Sequence, residues 1–407
     1  MDAPHFELPF FTNLLILLVT ARFFGEIFER FKQPAMIGEI LAGIIVGPSL
    51  FNLIHRTEEI KVISELGIFL LVIIAGLEIN IDDILKSLKG RNIIISIMAF
   101  FIPIFSGFTV GYFFGLDVMT TVFIGLCVAI TALPVSIRIL MDLGKINSEV
   151  GQKIISIAIF DDVIALTILG VLLNIQDTDK SVSAVIQVGL MSLLKLAVFI
   201  VLLTMVYFMI RKITRKGNYI EISLNNLLEI LKGKEPLFAL FFAFVLLFST
   251  FTESLGLHFI VGAFFASLLI SDSLIGKENL RTIEKTTSNI AMGFLAPIFF
   301  AGIGLEFNIS SITNLPLLLA VVLVSYLSKI AGGWLGGRLA GLNSRISFTL
   351  GIGLNARGIM ELVIANIAYK AGLINTEIFS ILVLMGILTT LTTPLLLKSA
   401  FQRLKAG

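Results

Sequence analysis

Two adjacent aspartates, Asp161 and Asp162, stand in the stretch AIFDDVIALT (158–167), and no other charge lies between Lys153 and Asp177. A carboxylate in so apolar a setting costs about 2.5–3.5 kcal/mol on membrane-insertion scales, so it persists where it faces a polar cavity or a partner. Neighbouring helical residues point about 100° apart, which lets one carboxylate face water while the other pairs across a bundle. The candidate partner is Lys329 in YLSKIAGGWLGG, the single basic residue between Lys285 and Arg338. A buried carboxylate can be neutralised by a proton or by a small cation, but each excludes the other. Alternate exposure of such a group to the two sides, mainly when occupied, couples proton movement one way to cation movement the other way. Two carboxylates so close titrate as a unit.

The surroundings are those of a membrane protein. The 407 residues are 57% hydrophobic and 14% charged, against about 25% charged in soluble domains. One cysteine, Cys127, and three scattered histidines (His5, His55, His258) give no disulfide framework and no histidine metal centre, and no resident cofactor is expected. A net charge of +2 gives no sign of nucleic acid as a partner. MDAPHFELPF has no basic n-region, so the first apolar run reads as a retained span.

At about 20 apolar residues per crossing, the chain divides into about thirteen spans: 9–29, 35–51, 60–80, 92–115, 118–141, 150–174, 183–211, 236–254, 257–274, 288–308, 314–340, 345–368 and 376–398. With the N-terminus outside and the C-terminus cytoplasmic, 21 Lys and Arg fall on the inner side and 4 (Arg56, Lys61, Lys180, Lys370) on the outer, the bias that orients membrane proteins. In the long inner connection 212–235, NYIEISLNNLLEIL reads as a helix along the interface or as an extension of the following span.

The two halves repeat. GLEINI (76–81) matches GLEFNI (304–309) and GKINSEV (144–150) matches GLINTEI (372–378), both at an offset of 228 residues. IGEILAGIIVGPSL (37–50) pairs more weakly with VGAFFASLLISDSL (261–274). A shift of seven spans inverts the copies, giving two inverted six-helix repeats joined by a linker helix, an architecture common among secondary transporters. The fold expected is therefore an all-α integral membrane protein with two discontinuous crossing helices. One break is TALP (131–134), where Pro134 removes a backbone donor; the other is LNARG (354–358), with Asn355, Arg357 and Gly358. Thr131 and Asn355 stand at matching places in the two copies, whereas Asp161 and Asp162 align with Thr389 and Thr390, so the carboxylates belong to one copy alone.

Other residues admit two readings. Arg357 and Glu361 are four apart, which suits either mutual pairing or a role in gating. Glu78 and Glu306 fall at span ends and read as interfacial. The Gly332/Gly336 and Gly333/Gly337 pairs permit close backbone approach.

IFDDVIAL, the TALP break, Lys329 and NARGIMELVIA together resemble the monovalent cation–proton antiporter superfamily, in the branch that includes potassium-efflux and sodium–potassium/proton exchangers. The resemblance covers essentially the whole chain. It implies a homodimer in the cell (plasma) membrane, here a bacterial inner membrane. Residues 1–90 (helices 1–3) and 216–310 (helices 8–10) would form a dimerisation domain. Residues 91–180 (helices 4–6) and 311–400 (helices 11–13) would form an ion-carrying core that moves against it like an elevator, and 181–215 would be the linker. Asp162 would be the main cation and proton ligand, Asp161 the partner of Lys329, and Thr131 a contributor at the crossover. Two departures stand out: Ala-Leu-Pro follows Thr131 with no acidic residue, and no soluble regulatory domain is expected after residue 400. Exchange of Na⁺ (or Li⁺ or K⁺) for H⁺ is the leading expectation. A potassium/proton efflux antiporter and a cation-coupled symporter of an organic anion are the alternatives. A channel lacks its filter motif, and nothing points to an enzyme.

Overall fold

The computed structural model describes residues 9–55, 57–79, 90–175, 191, 194–195, 197–199, 201–208, 235–255, 257–271 and 275–405. The proposed interfacial segment NYIEISLNNLLEIL and most of span 183–211 lie outside them. Every regular element among the described residues is helical. In chain order these are α1 (Phe10–Arg30), α2 (Ala35–Val46), α3 (Glu58–Glu78), α4 (Asn92–Phe113), α5 (Val118–Ala129), α6 (Leu133–Asp142), α7 (Glu149–Ile175), α8 (Glu235–Ser254), α9 (Phe259–Leu269), α10 (Lys277–Ile290), α11 (Ala296–Glu306), α12 (Leu315–Leu339), α13 (Ser344–Gly353), α14 (Ile359–Lys370) and α15 (Thr376–Lys405). Nine helical segments among the described residues are long and apolar enough to cross a membrane.

Local sequence accounts for where the helices stop. The reading of 35–51 as one span gives way to a helix of 12 residues, because Gly47-Pro48 follows and the residue before a proline disfavours helical backbone. Span 288–308 in turn starts earlier: α10 begins at Lys277, and a π-helical turn, Ala291–Leu295, joins it to α11. Hydropathy does not register KENLRTIEKTTSNI as part of a span because that helix is polar. Pro297, in the first turn of α11, lacks the N–H that an uninterrupted α-helix would donate to the Gly293 carbonyl, which lies inside that π turn.

The chain forms two compact units. One takes residues 69–84 and 164–293; in it Phe199 packs its ring on Phe248, Phe251 and Phe265. Gly262 there lies against the Phe248 carbonyl, and Gly76 against that of Phe264.

The other unit takes residues 1–68, 85–163 and 294–407, and holds α1, α2, the first part of α3, α4 to α6, the first part of α7 and α11 to α15. Its central helix is α12, whose glycines form two seams. A Cβ at Gly332 would stand 2.7 Å from the Met98 carbonyl of α4, and one at Gly336 would stand 2.9 Å from Ile95 Cα. On the other side, a Cβ at Gly333 would lie 2.5 Å from Gly351 Cα of α13, and one at Gly337 would meet Ser347. At Gly332, Gly333 and Gly336 the helices thus come backbone to backbone, the packing that small residues permit in membranes. Gly333→Val should lower stability by about 1–3 kcal/mol, the usual cost of overpacking, in thermal unfolding of the detergent-solubilised protein. Gly293→Ala, where a Cβ meets nothing within 4 Å, should leave the melting temperature unchanged.

Candidate functional site

The site is built on two interrupted helices. Asp117 caps α5 by accepting the Thr120 N–H at 3.0 Å. The helix ends at Ala129, Ile130 and Ala132 are extended, and α6 starts with Pro134 in its first turn, where a missing N–H costs nothing. Asn343 caps α13, which ends at Gly353, and α14 begins after Gly358. The two interruptions meet. Ala132 N–H donates to the Ala356 carbonyl at 2.8 Å, and the Thr131 hydroxyl donates to that of Leu354 at 3.0 Å. Gly358 makes the crossing possible, since a Cβ there would stand 2.6 Å from Ala132 Cβ.

Arg357 completes the crossover. Its side chain is fully buried, with Nη1 donating to the carbonyls of Cys127 and Ile130 at 2.6 Å each and Nη2 to that of Val128 at 2.5 Å. A helix end leaves its last carbonyls without intrahelical donors and carries partial negative charge. The planar guanidinium fork answers both needs. Behind it, the Thr390 hydroxyl donates to the Arg357 carbonyl at 3.0 Å.

Asp161 and Asp162, on α7, are buried to 0% and 1% exposure. Lys329 of α12, also wholly buried, places Nζ 2.7 Å from Asp161 Oδ2 and donates as well to the Ala99 carbonyl of α4 at 3.2 Å. The ammonium feels the charges of Asp162 and Arg357 too, and Thr131 lies beside the Asp161 carboxylate. Two carboxylates and a threonine hydroxyl are hard oxygen donors of the kind alkali and alkaline-earth cations take.

Of the other candidates, Pro134 starts α6, and Asn355 Nδ2 donates back to the Gly351 carbonyl at 3.1 Å, inside the second break. Glu361 is buried, and neither of its oxygens has a hydrogen-bond partner; it is a strong electrostatic neighbour of Arg357, but the Nη donors of Arg357 go to the α5 carbonyls. Glu306 ends α11 and accepts from Asn366 Nδ2 at 2.8 Å. Sequence reasoning passed over Ala99, Thr390 and the capping role of Arg357. An arginine inside an interrupted span was a visible signal for the last; backbone carbonyls carry none.

The ion pair has a measurable signature. Lys329→Met should destabilise the protein by about 3–5 kcal/mol, because it strands a buried charge. Adding Asp161→Asn to it should recover much of that loss in the same thermal unfolding assay. Equal melting temperatures for the single and double variants would contradict the pairing.

Residues 14–401 match the family described as "Sodium/hydrogen exchanger, transmembrane". The chain is similar to the probable Na⁺/H⁺ antiporter GerT of Bacillus cereus, 30% identical over 393 residues, covering 96% of this chain and 99% of that protein. It is also similar to the Na⁺/H⁺-K⁺ antiporter GerN of the same organism, 28% identical over 404 residues and 97% of each chain. Among solved structures, the sodium proton antiporter MjNhaP1 from Methanocaldococcus jannaschii shares the fold, with a TM-score of 0.71 at 18% identity over 96% of each chain. The chain belongs to the transmembrane sodium/hydrogen exchanger family and is a multi-pass cation/proton antiporter, a transporter and not an enzyme.

Proposed function

We propose that the protein exchanges Na⁺ for H⁺ by alternating access, with proton and cation competing for the buried aspartates. The observation that carries this reading is the place of Asp161 and Asp162: an acidic pair with Lys329 on one carboxylate and a crossover of two interrupted helices beside it. Asp162 is the principal ligand for cation and proton. Asp161 is held by Lys329, and Thr131 adds a neutral oxygen. Protonation of the pair releases the cation, and deprotonation readmits it. Li⁺ and K⁺ are the other candidate cations. K⁺ has its own support, because a relative aligned over 97% of the chain is named a Na⁺/H⁺-K⁺ antiporter.

The larger frame is thirteen spans in two inverted six-helix repeats, supported by the matching sequence pairs and by the equivalent positions of the two breaks. In it, residues 91–180 and 311–400 carry the ion, and 1–90 and 216–310 form the dimer surface. The core shifts as an elevator in a homodimer of the plasma membrane, with the C-terminus cytoplasmic. This partition follows the resemblance to the antiporter superfamily and differs from the two compact units, one of which groups α1 and α2 with the crossover.

Two transport measurements test the reading. In proteoliposomes with an internal pH dye, Asp162→Asn should abolish proton movement driven by Na⁺, K⁺ or Li⁺; exchange at the wild-type rate would refute the site. Below the pH at which the pair protonates, the apparent KM for the cation should rise about tenfold per pH unit, as competition for one site requires. The groups that set this response are Asp161, Asp162, Lys329 and Arg357. A KM that does not change between pH 5 and 9 would contradict it.

A further inference from the structure

At the end of the bundle where α15 finishes and α13 begins, an open groove of about 740 Å³ runs between α12, α13 and α15. Its walls change character along their length. The deep part is apolar, lined by Ile330, Phe348, Ile352 and Leu396. The mouth carries Arg345, Ser399 and Arg403, with Trp334 and Ser344 at its side. Both arginines are exposed. From Ile352 to Ser344 the groove follows nine residues of α13, eight steps of 1.5 Å or about 12 Å of helix. That length accommodates the upper part of an acyl chain below a headgroup. Trp334, whose indole N–H donates to Ser344 Oγ at 3.1 Å, is the residue type that sits at membrane–water boundaries.

We propose that this groove is a binding site for one anionic phospholipid, its phosphate between Arg345 and Arg403 and one acyl chain along Phe348, Ile352 and Leu396. Charge complementarity selects the headgroup: two arginines and no acidic residue line the groove, and guanidinium is a strong phosphate ligand. The apolar run beneath them selects a lipid over a free anion, since a soluble phosphate would leave that surface uncovered. Basic pockets between membrane helices bind acidic lipid headgroups in this way. The deep end of the groove borders the transport site through the chain itself: Ile330 follows Lys329, and Ile352 precedes the second break by two residues. A lipid here would hold α12, α13 and α15 together next to the crossover.

The chain has a single tryptophan, and it lines the groove, so its fluorescence reports occupancy. In mixed micelles of the whole chain, brominated phosphatidylglycerol should quench Trp334 at about one-thirtieth the mole fraction that brominated phosphatidylcholine needs, as two arginine contacts imply. Arg345→Gln with Arg403→Gln should erase that preference and leave quenching by phosphatidylcholine unchanged. Arg345→Lys with Arg403→Lys should retain most of it, which separates charge from misfolding. Equal quenching by the two lipids, or a preference that survives in the glutamine variant, would overturn the site. Loss of the preference on adding millimolar inorganic phosphate would show a site for the phosphate alone and overturn its assignment to a lipid.

Discussion

A helix that stops halfway across a bilayer leaves its last carbonyls with no water to bond to, and the protein must supply the donors itself. Here one side chain does so. Arg357 reaches from the second break to the carbonyls of Cys127, Val128 and Ile130, so the end of α5 and the start of α14 are defined by a single cluster of hydrogen bonds. The cation also brings a positive charge to within electrostatic reach of Asp161. The same contact therefore closes the backbone account of the crossover and sets part of the field in which the carboxylates operate.

The Asp161–Lys329 pair rests on that frame. Lys329 is held by two elements at once, the α4 carbonyl of Ala99 and the α7 carboxylate. A buried ion pair contributes little net stability and is costly to break from one side only. Its value here is geometric, because it fixes the rotamer of one aspartate beside another. The two acidic residues are neighbours in sequence, and the 100° step between adjacent helical positions turns their side chains apart.

Much of this was legible in the sequence for identifiable reasons. The breaks announced themselves because proline and an Asn-Ala-Arg-Gly run cannot continue a helix cheaply, and the acidic pair because charge is conspicuous in an apolar run. Lys329 was conspicuous on the same ground. What stayed hidden depends on neighbours: the carbonyls that Arg357 caps belong to another helix, and a backbone acceptor such as Ala99 has no side-chain signature. The polar start of α10 was hidden because hydropathy measures greasiness and not helicity, while the early end of α2 lay in a Gly-Pro pair that a span-length criterion overrides.

The glycine seams of α12 have a mechanical meaning. Sliding between packed helices is ordinarily absorbed by side-chain torsions at their interface. At Gly332, Gly333 and Gly336 there are few such torsions to give, because main chain comes nearest to main chain, and Gly337 adds only the short Ser347 side chain. α4, α12 and α13 are therefore locked like a keyed joint, and displacement of the lysine that α12 carries must take its two neighbours with it as one rigid block.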